Sequence, residues 1–364
     1  MSEYDTNLAS TKETTDKRCP KCGGVMNFNP KEGNLKCPYC DHTMDVENVL
    51  PAAMEIDLKE AEFLANKNWG TKTKTVICKS CSGESIYDSL EIANVCPYCG
   101  SNHVMEENDI ETMAPGGVVL FKVTAKDAGD LFQKWLSTKW FCPPAAKISA
   151  KPDKFKGIYL PHWTFDTNTN SFYTAEAGIN KERTKSDGKT ETYTEYYKVR
   201  GNFKHSFDDF IESGTSRFDK YRLNAIEPFD TANNSAYKPE YIAGFVAERY
   251  SIGLEEAWNN AQTRMKTVIE SKITDKIIYE EKADSVRGLS AESSFNDVKF
   301  KYLLLPIWVS AYVYNNKRYE FMVNGQTGKV SGSSPVDKVK VAIVIIVIII
   351  IIGAIYYFNN QWKN

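Results

Sequence analysis

Apolar residues recur every three or four positions in two long stretches of the chain and alternate with polar residues through much of what lies between them. The first stretch, Lys126 to Phe141, sets Ala128, Leu131, Phe132, Trp135 and Leu136 on one face of a predicted helix. The second, Leu254 to about Ile278, does so with Leu254, Ala257, Trp258, Ala261, Met265, Val268, Ile269 and Ile273. A shorter run, Glu55 to Trp69, places Ile56, Leu58, Ala61, Leu64 and Ala65 near one face and predicts a helical spacer. From Val118 onward the intervening segments are rich in Tyr, Phe and Thr, which suits a pleated, half-buried surface, so the domain reads as α+β.

Two decapeptides in this domain match. Lys154 to Trp163 reads KFKGIYLPHW and Lys299 to Trp308 reads KFKYLLLPIW, each preceded by one of the amphipathic stretches. The pattern predicts an internal duplication of a helix followed by strand, Pro, Trp and strand. Proline cannot donate to a strand ladder, so its place in each apolar run predicts an edge strand or a bulge. Trp163 and Trp308 are expected as core anchors in equivalent positions. Turn signals at Ser186-Asp187-Gly188-Lys189, Asn315-Asn316, Asn324-Gly325 and Thr327-Gly328 predict hairpins, and Asn180 to Tyr197 reads as an extended polar one.

The pattern changes again at Val341 to Phe358, eighteen residues without a charge. As a helix they reach about 27 Å, close to the hydrocarbon thickness of a bilayer. Tyr356, Tyr357, Phe358 and Trp362 suit an interfacial belt. Lys338 and Lys340 precede the segment and only Lys363 follows it, so a single pass through the cell membrane with the N-terminal bulk cytoplasmic is expected.

Composition narrows the function without naming it. A net charge of −2 over 364 residues shows no global attraction to nucleic acid or anionic lipid. Residues 1–17 are polar and lack the apolar core of a secretory signal, so they read as a flexible lead. Eight of the nine cysteines fall into two arrays of identical spacing: Cys19, Cys22, Cys37 and Cys40, then Cys78, Cys81, Cys96 and Cys99. Four thiolates in two close pairs make the tetrahedral cage of structural zinc, and two Zn2+ ions are expected; pairing within each array is favoured over pairing between arrays because each short loop closes at lower entropic cost. Disulfides or a rubredoxin-type iron site are the competing readings of the same spacing. Each array is expected to be a ribbon of three short strands that depends on its metal to fold.

No phosphate-binding glycine loop, H-E-x-x-H or G-x-S-x-G occurs, which removes the common ATPases, Rossmann enzymes, zinc proteases and α/β-hydrolases. His42 and His103 follow the last cysteine of each array and are not needed as ligands. His162 lies in LPHW, but the second repeat has Ile307 at that place, which argues for packing rather than catalysis. Cys142, in WFCPP, reads as a buried thiol. A small-molecule substrate is therefore not expected. The first array carries Lys21, Lys31 and Lys36 against Glu32, while the second carries Lys79 against Glu84, Asp88 and Glu91. Phosphate binding needs clustered cations, so protein contact is the favoured use; a membrane-tethered nucleic-acid binder using Lys17, Arg18, Lys21, Lys31 and Lys36 is the alternative.

The two arrays, the LPHW and LPIW repeats, the ending VNGQTGKVSGSSP and the final apolar segment together resemble bacterial zinc-ribbon membrane proteins of YdjG type, over roughly Cys19 to Phe358. The resemblance implies partners of two kinds, phage-shock protein A and SPFH-domain proteins, encoded beside members of that family, and a role in envelope stress. The expected architecture is a lead (1–17), a first zinc ribbon (18–45), a helical spacer (46–74), a second zinc ribbon (75–105), a duplicated α+β domain (115–334) and a transmembrane helix (341–358). The expected function is that of a non-enzymatic adaptor which recruits or scaffolds cytoplasmic partners at the membrane.

Overall fold

The computed structural model describes residues 19–24, 26–46, 53–61, 73–78, 84–88, 104–106, 113, 115–149, 155–186, 188, 190–242, 245–248 and 250–361, with backbone alone for 73–78, 84–88, 104–106, 239 and 357–361. The lead (1–17), most of the spacer, and Cys81, Cys96 and Cys99 lie outside these residues.

Strands dominate. Near the N-terminus, β1 (Asn27–Asn29), β2 (Asn34–Lys36) and β3 (Thr43–Met44) form a separate three-stranded antiparallel sheet. All other described strands join one twelve-stranded sheet. In chain order its strands begin with β4 (Ile56–Asp57), β5 (Thr73–Cys78), β6 (Glu84–Asp88), β7 (Val104–Glu106) and β8 (Gly117–Val118). After helices α1 (Ala125–Ser137) and α2 (Pro144–Ser149) come two very long strands, β9 (Lys156–Thr184) and β10 (Thr190–Ser213). Helix α3 (Lys220–Ala225), strands β11 (Ser235–Ala236) and β12 (Val246–Ala247), and helix α4 (Leu254–Glu281) follow. The third long strand, β13 (Ser285–Tyr314), leads through β14 (Lys317–Asn324) and β15 (Val330–Gly332) to helix α5 (Lys338–Gln361).

The centre of the sheet is the antiparallel pair β9–β13, in which Leu160 faces Leu305, Pro161 faces Leu304, and Tyr159 faces Pro306. Both repeat prolines are thus in inner strands, not at an edge as expected. Each is tolerated because its missing donor points to a seam where the neighbouring strand changes. On the far side of β9, β12 runs beside Ile158 and Tyr159, and β10 takes over at His162. On the far side of β13, β8 runs beside Leu303 and Leu304, and β14 takes over at Ile307. At each seam the proline carbonyl accepts a glycine N–H: Gly214 to Pro161 and Gly325 to Pro306, both 2.8 Å. A Cβ on either glycine would lie within 3.0 Å of that carbonyl oxygen, 2.9 Å for Gly214 and 2.8 Å for Gly325, so the close approach requires glycine.

The same bonds occur on both sides. The Trp163 indole donates to the Ile252 carbonyl and the Trp308 indole to the Val123 carbonyl, each at 2.9 Å. Ser251 and Ile252 N–H donate to the Gly214 carbonyl, and Lys122 and Val123 N–H to that of Gly325. Helix α4 begins just after the first set and α1 just after the second.

Beyond this centre β9, β10 and β13 continue together as a long three-stranded sheet, and α4 covers one face. Ala257, Ala261, Met265, Ile269, Ile273 and Ile277, spaced four apart, are at most 1% exposed. They pack on the alternate residues of β9 that point the same way, including Tyr173, Ala175 and Ala177. The hairpin between β9 and β10 and the Asn315-Asn316 turn fall where predicted; both asparagines have positive φ, 49° and 58°, as a two-residue hairpin turn demands.

Two other expectations change. The first long helix stops at Ser137 rather than Phe141, because Thr138 caps it ahead of a loop ending in Pro143. Glu55 onward does not open a helix: Ile56–Asp57 pairs with Lys299 and Phe300 of β13, and one 3-10 turn, Leu58–Glu60, follows with Asp57 accepting the Lys59 N–H. The alternating Ile-Asp-Leu beginning was ambiguous, and a free strand edge settled it. Strands β5, β6 and β7 pair with one another and join the main sheet, where Ile86 pairs with Ala247 of β12.

Where the long sheet bends, β10 and β13 each carry a bulge, with Asp209 and Asp297 at positive φ. At this level Lys301, its side chain 7% exposed, lies 2.5 Å from Asp209, 3.7 Å from Glu55 and 4.0 Å from Asp166. Burial raises Asp166 from an ordinary 3.8 to about 6, with Asp209 and Glu55 adding to the rise and the Asp209 N–H and Lys301 opposing it. A carboxyl raised on folding makes the folded chain hold the extra proton, so its contribution to stability falls as pH climbs from 3.8 through about 6. Asp166→Asn is therefore expected to melt at a higher temperature than the parent above pH 6, with the gain vanishing toward pH 4. A melting difference that does not change with pH would exclude Asp166 as its source.

Candidate metal centre

The ends of the small sheet are two tight turns with the same hydrogen bonds. Cys19 N–H donates to the Gly24 carbonyl and Gly23 N–H to that of Cys19; Cys37 N–H donates to His42 and Asp41 N–H to Cys37. Gly23 and Asp41, at φ 75° and 56°, turn the chain back in each. The effect is to hold each C-x2-C pair as a pincer, with β1 and β2 setting the two pincers opposite one another.

The structure brings Cys19, Cys22, Cys37 and Cys40 together. Their Sγ atoms all lie within 4.8 Å of one another, with Cys19–Cys40 at 3.4 Å and Cys22–Cys37 at 3.5 Å. Four sulfurs bound at about 2.3 Å around one tetrahedral ion are separated by about 3.8 Å, so the donor set fits such an ion. Cys19 and Cys37 are buried and Cys22 and Cys40 exposed, which puts the centre at the ribbon's surface.

Electrostatics point the same way. Burial raises the Cys37 thiol, but the N–H groups of Tyr39 and Cys40 and two neighbouring thiols outweigh it and bring it down to about 7. The His42 amide lowers Cys40, yet the other three thiols and burial push it up to about 12. Four crowded thiols cannot all ionise without a counter-charge, and a central cation supplies it. The amides of Tyr39, Cys40 and His42 aim at the sulfurs as the C-x2-C turn sequences lead one to expect, and they offset the thiolate charge.

The centre is joined to the main domain. Met26, Phe28, Leu35 and Val46 are buried under the small sheet, and the Phe28 ring meets Tyr241 edge-on at 5.9 Å. Tyr241 lies in the 3-10 turn Pro239–Ile242, a few residues ahead of β12.

For the second array, Cys78 ends β5 and only its backbone is described; Cys81, Cys96, Cys99 and His103 lie outside the described residues. His162 and Cys142 are not brought together. His162 is buried, its Nδ1 3.1 Å from the Leu160 carbonyl, and burial pushes it down to about 4. Cys142 sits in another cluster with Phe132, Leu136, Tyr312 and Phe321, where burial raises the thiol. Both side chains are buried.

At the other end of the chain, α5 contains a stretch, Lys338–Tyr356, with mean hydropathy 3.1 and none of it buried, long and apolar enough to cross a membrane. No family model matches the chain, and no solved structure does. A homologue, the uncharacterized protein YdjG of Bacillus subtilis strain 168, is 26% identical over 328 residues, covering 89% of this chain and 91% of that protein.

Replacing Cys19 and Cys37 together by Ser is expected to remove one equivalent of tightly bound metal per chain, read by elemental analysis of the purified full-length protein. Unchanged metal content would show that the first array is not a metal centre.

Proposed function

We propose that this chain is a non-enzymatic, membrane-anchored zinc-ribbon adaptor that recruits or scaffolds cytoplasmic partners at the membrane. The observation that carries the reading is the pairing, in one chain, of a four-thiol centre packed on a sheet domain with an unburied apolar helix long enough to span a bilayer.

In this reading the ion at Cys19, Cys22, Cys37 and Cys40 is Zn2+, which four thiolates in tetrahedral array favour, and Cys78, Cys81, Cys96 and Cys99 hold a second. The paired proline, glycine and indole bonds about Leu160 and Leu305 support treating residues 115–334 as a duplicated helix-plus-antiparallel-strand domain. Helix α5 passes once through the cell membrane, with Lys338 and Lys340 on the cytoplasmic side, where thiols stay reduced. The domain holds the ribbons near the bilayer as docking modules for phage-shock protein A-like or SPFH-domain proteins. Such a role fits an envelope-stress response.

Elemental analysis is expected to find two zinc ions per full-length chain. A red, iron-containing protein would overturn the zinc assignment. Affinity purification of the full-length chain from crosslinked membranes under envelope stress is expected to recover a phage-shock or SPFH-like protein, and to lose it when the first array is changed to Ser. Recovery of neither class would overturn the adaptor reading as stated, and salt-sensitive capture of DNA or RNA would favour the nucleic-acid alternative.

A further inference from the structure

The loop between α1 and α2 presents two large side chains to solvent: Trp140 is 62% and Phe141 38% exposed, their rings edge-on at 5.0 Å. Neither is loose. The next residue, Cys142, is 1% exposed within the cluster of Phe132, Leu136, Tyr312 and Phe321, and Pro143 and Pro144 follow it, so the backbone beneath the two rings is pinned.

The loop is also fastened to the start of the membrane-length helix. Asp337 N–H donates to the Phe141 carbonyl at 2.8 Å, and Lys340 Nζ to the carbonyls of Trp140 and Cys142 at 3.1 and 3.5 Å. Asp337 is in turn the residue whose carboxylate accepts the Val339 and Lys340 N–H groups at the first turn of α5. Trp140 and Phe141 therefore lie at the depth at which α5 begins, immediately ahead of the charge-free run that opens at Val341.

Within α5 the aromatic residues are at one end only. No Trp, Tyr or Phe occurs from Lys338 to Ile355, and Tyr356, Tyr357 and Phe358 follow. Spanning helices are anchored by aromatic belts at both water–membrane boundaries, where an amphipathic ring is more stable than in either neighbour phase. Cations surround the loop: Lys139 over the Trp135 ring, Lys147 bonded to the Ser137 carbonyl, exposed Lys338, and Lys340. Such a cluster favours anionic headgroups.

We propose that Trp140 and Phe141 form a second membrane contact, inserting into the near-side interface of an anionic bilayer and completing the aromatic belt that α5 lacks at that end. This rests on α5 spanning the membrane. Two attachment points, a helix and a wedge beside it, fix the domain's tilt on the bilayer where one helix would leave it free to rotate.

The test places the photocrosslinker p-benzoylphenylalanine at 140, at 347 within α5, or at 279, an exposed tyrosine at the far end of α4, in the full-length chain reconstituted in vesicles of phosphatidylcholine and phosphatidylglycerol. Lipid adducts are expected at 140 and 347, several-fold above 279. Adducts at 347 without 140, or a protein adduct at 140, would overturn the wedge and leave the anchor standing. Absence of lipid adduct at 347 would overturn both, and equal adducts at 140 and 279 would overturn the wedge. Independently, the emission lost in Trp140→Phe is expected to be the part most strongly quenched by a nitroxide carried at the lipid headgroup; equal quenching of parent and variant would overturn the wedge.

Discussion

The pairing of β9 with β13 about Leu160 and Leu305 is the interaction on which everything else hangs. These strands are the longest described, and every other described strand of the main sheet attaches to one of them directly or through intervening strands. Their register brings Pro161 and Pro306 to seams rather than into ladders, and so decides where β8, β12, β10 and β14 begin and end. A slip by one residue would turn every side chain to the opposite face and present a proline's missing donor to a continuous neighbour. The indoles of Trp163 and Trp308 lock the same register from outside the ladder by holding the segments that precede α4 and α1.

Buried charge reinforces that register. Glu212, its side chain 2% exposed, sits 2.8 Å from Arg264 of α4 and 3.4 Å from Lys220 of α3; Glu248, 1% exposed, sits 3.0 Å from Arg217. Pairs of this kind add little net stability over apolar packing, but breaking one leaves an uncompensated charge in the interior. They therefore discriminate against wrong pairings more than they strengthen the right one. The group around Lys301 does so at the bend, where three strands and the segment around Glu55 must arrive together.

Much of this was legible in the sequence because it is periodic. The second long helix was readable almost to its ends, since Ala257, Ala261, Met265, Ile269 and Ile273 mark a stripe that only a helix makes continuous. The hairpin turns were legible from Asn and Gly, whose backbones tolerate positive φ. The four-thiol group was legible from spacing, because two close pairs can close on one ion only as a cage. The prolines misled because strand propensity is a statement about neighbours, and no local signal reveals that a neighbour will end just there. Residues 56–57 misled for a related reason: two residues of β-sheet are made by an edge elsewhere, not by their own composition. Trp140 and Phe141 were visible only as the last residues of the predicted helix, and the structure places them in the loop beyond Ser137.

The positions of the attachment points bear on how such a molecule works. The thiol ribbon rests on Tyr241, just ahead of β12, which lies on the β9 side of the central pair. Helix α5 follows β15 and is fastened to the α1–α2 loop, which packs against β13 and β14. Ribbon and apolar helix are thus both carried on elements that pack on one hydrogen-bonded sheet. A sheet resists stretching along its ladders far better than a linker does. Two modules joined by flexible chain would need no such centre. Joined by this one, the apolar helix and the thiol ribbon share one hydrogen-bonded support.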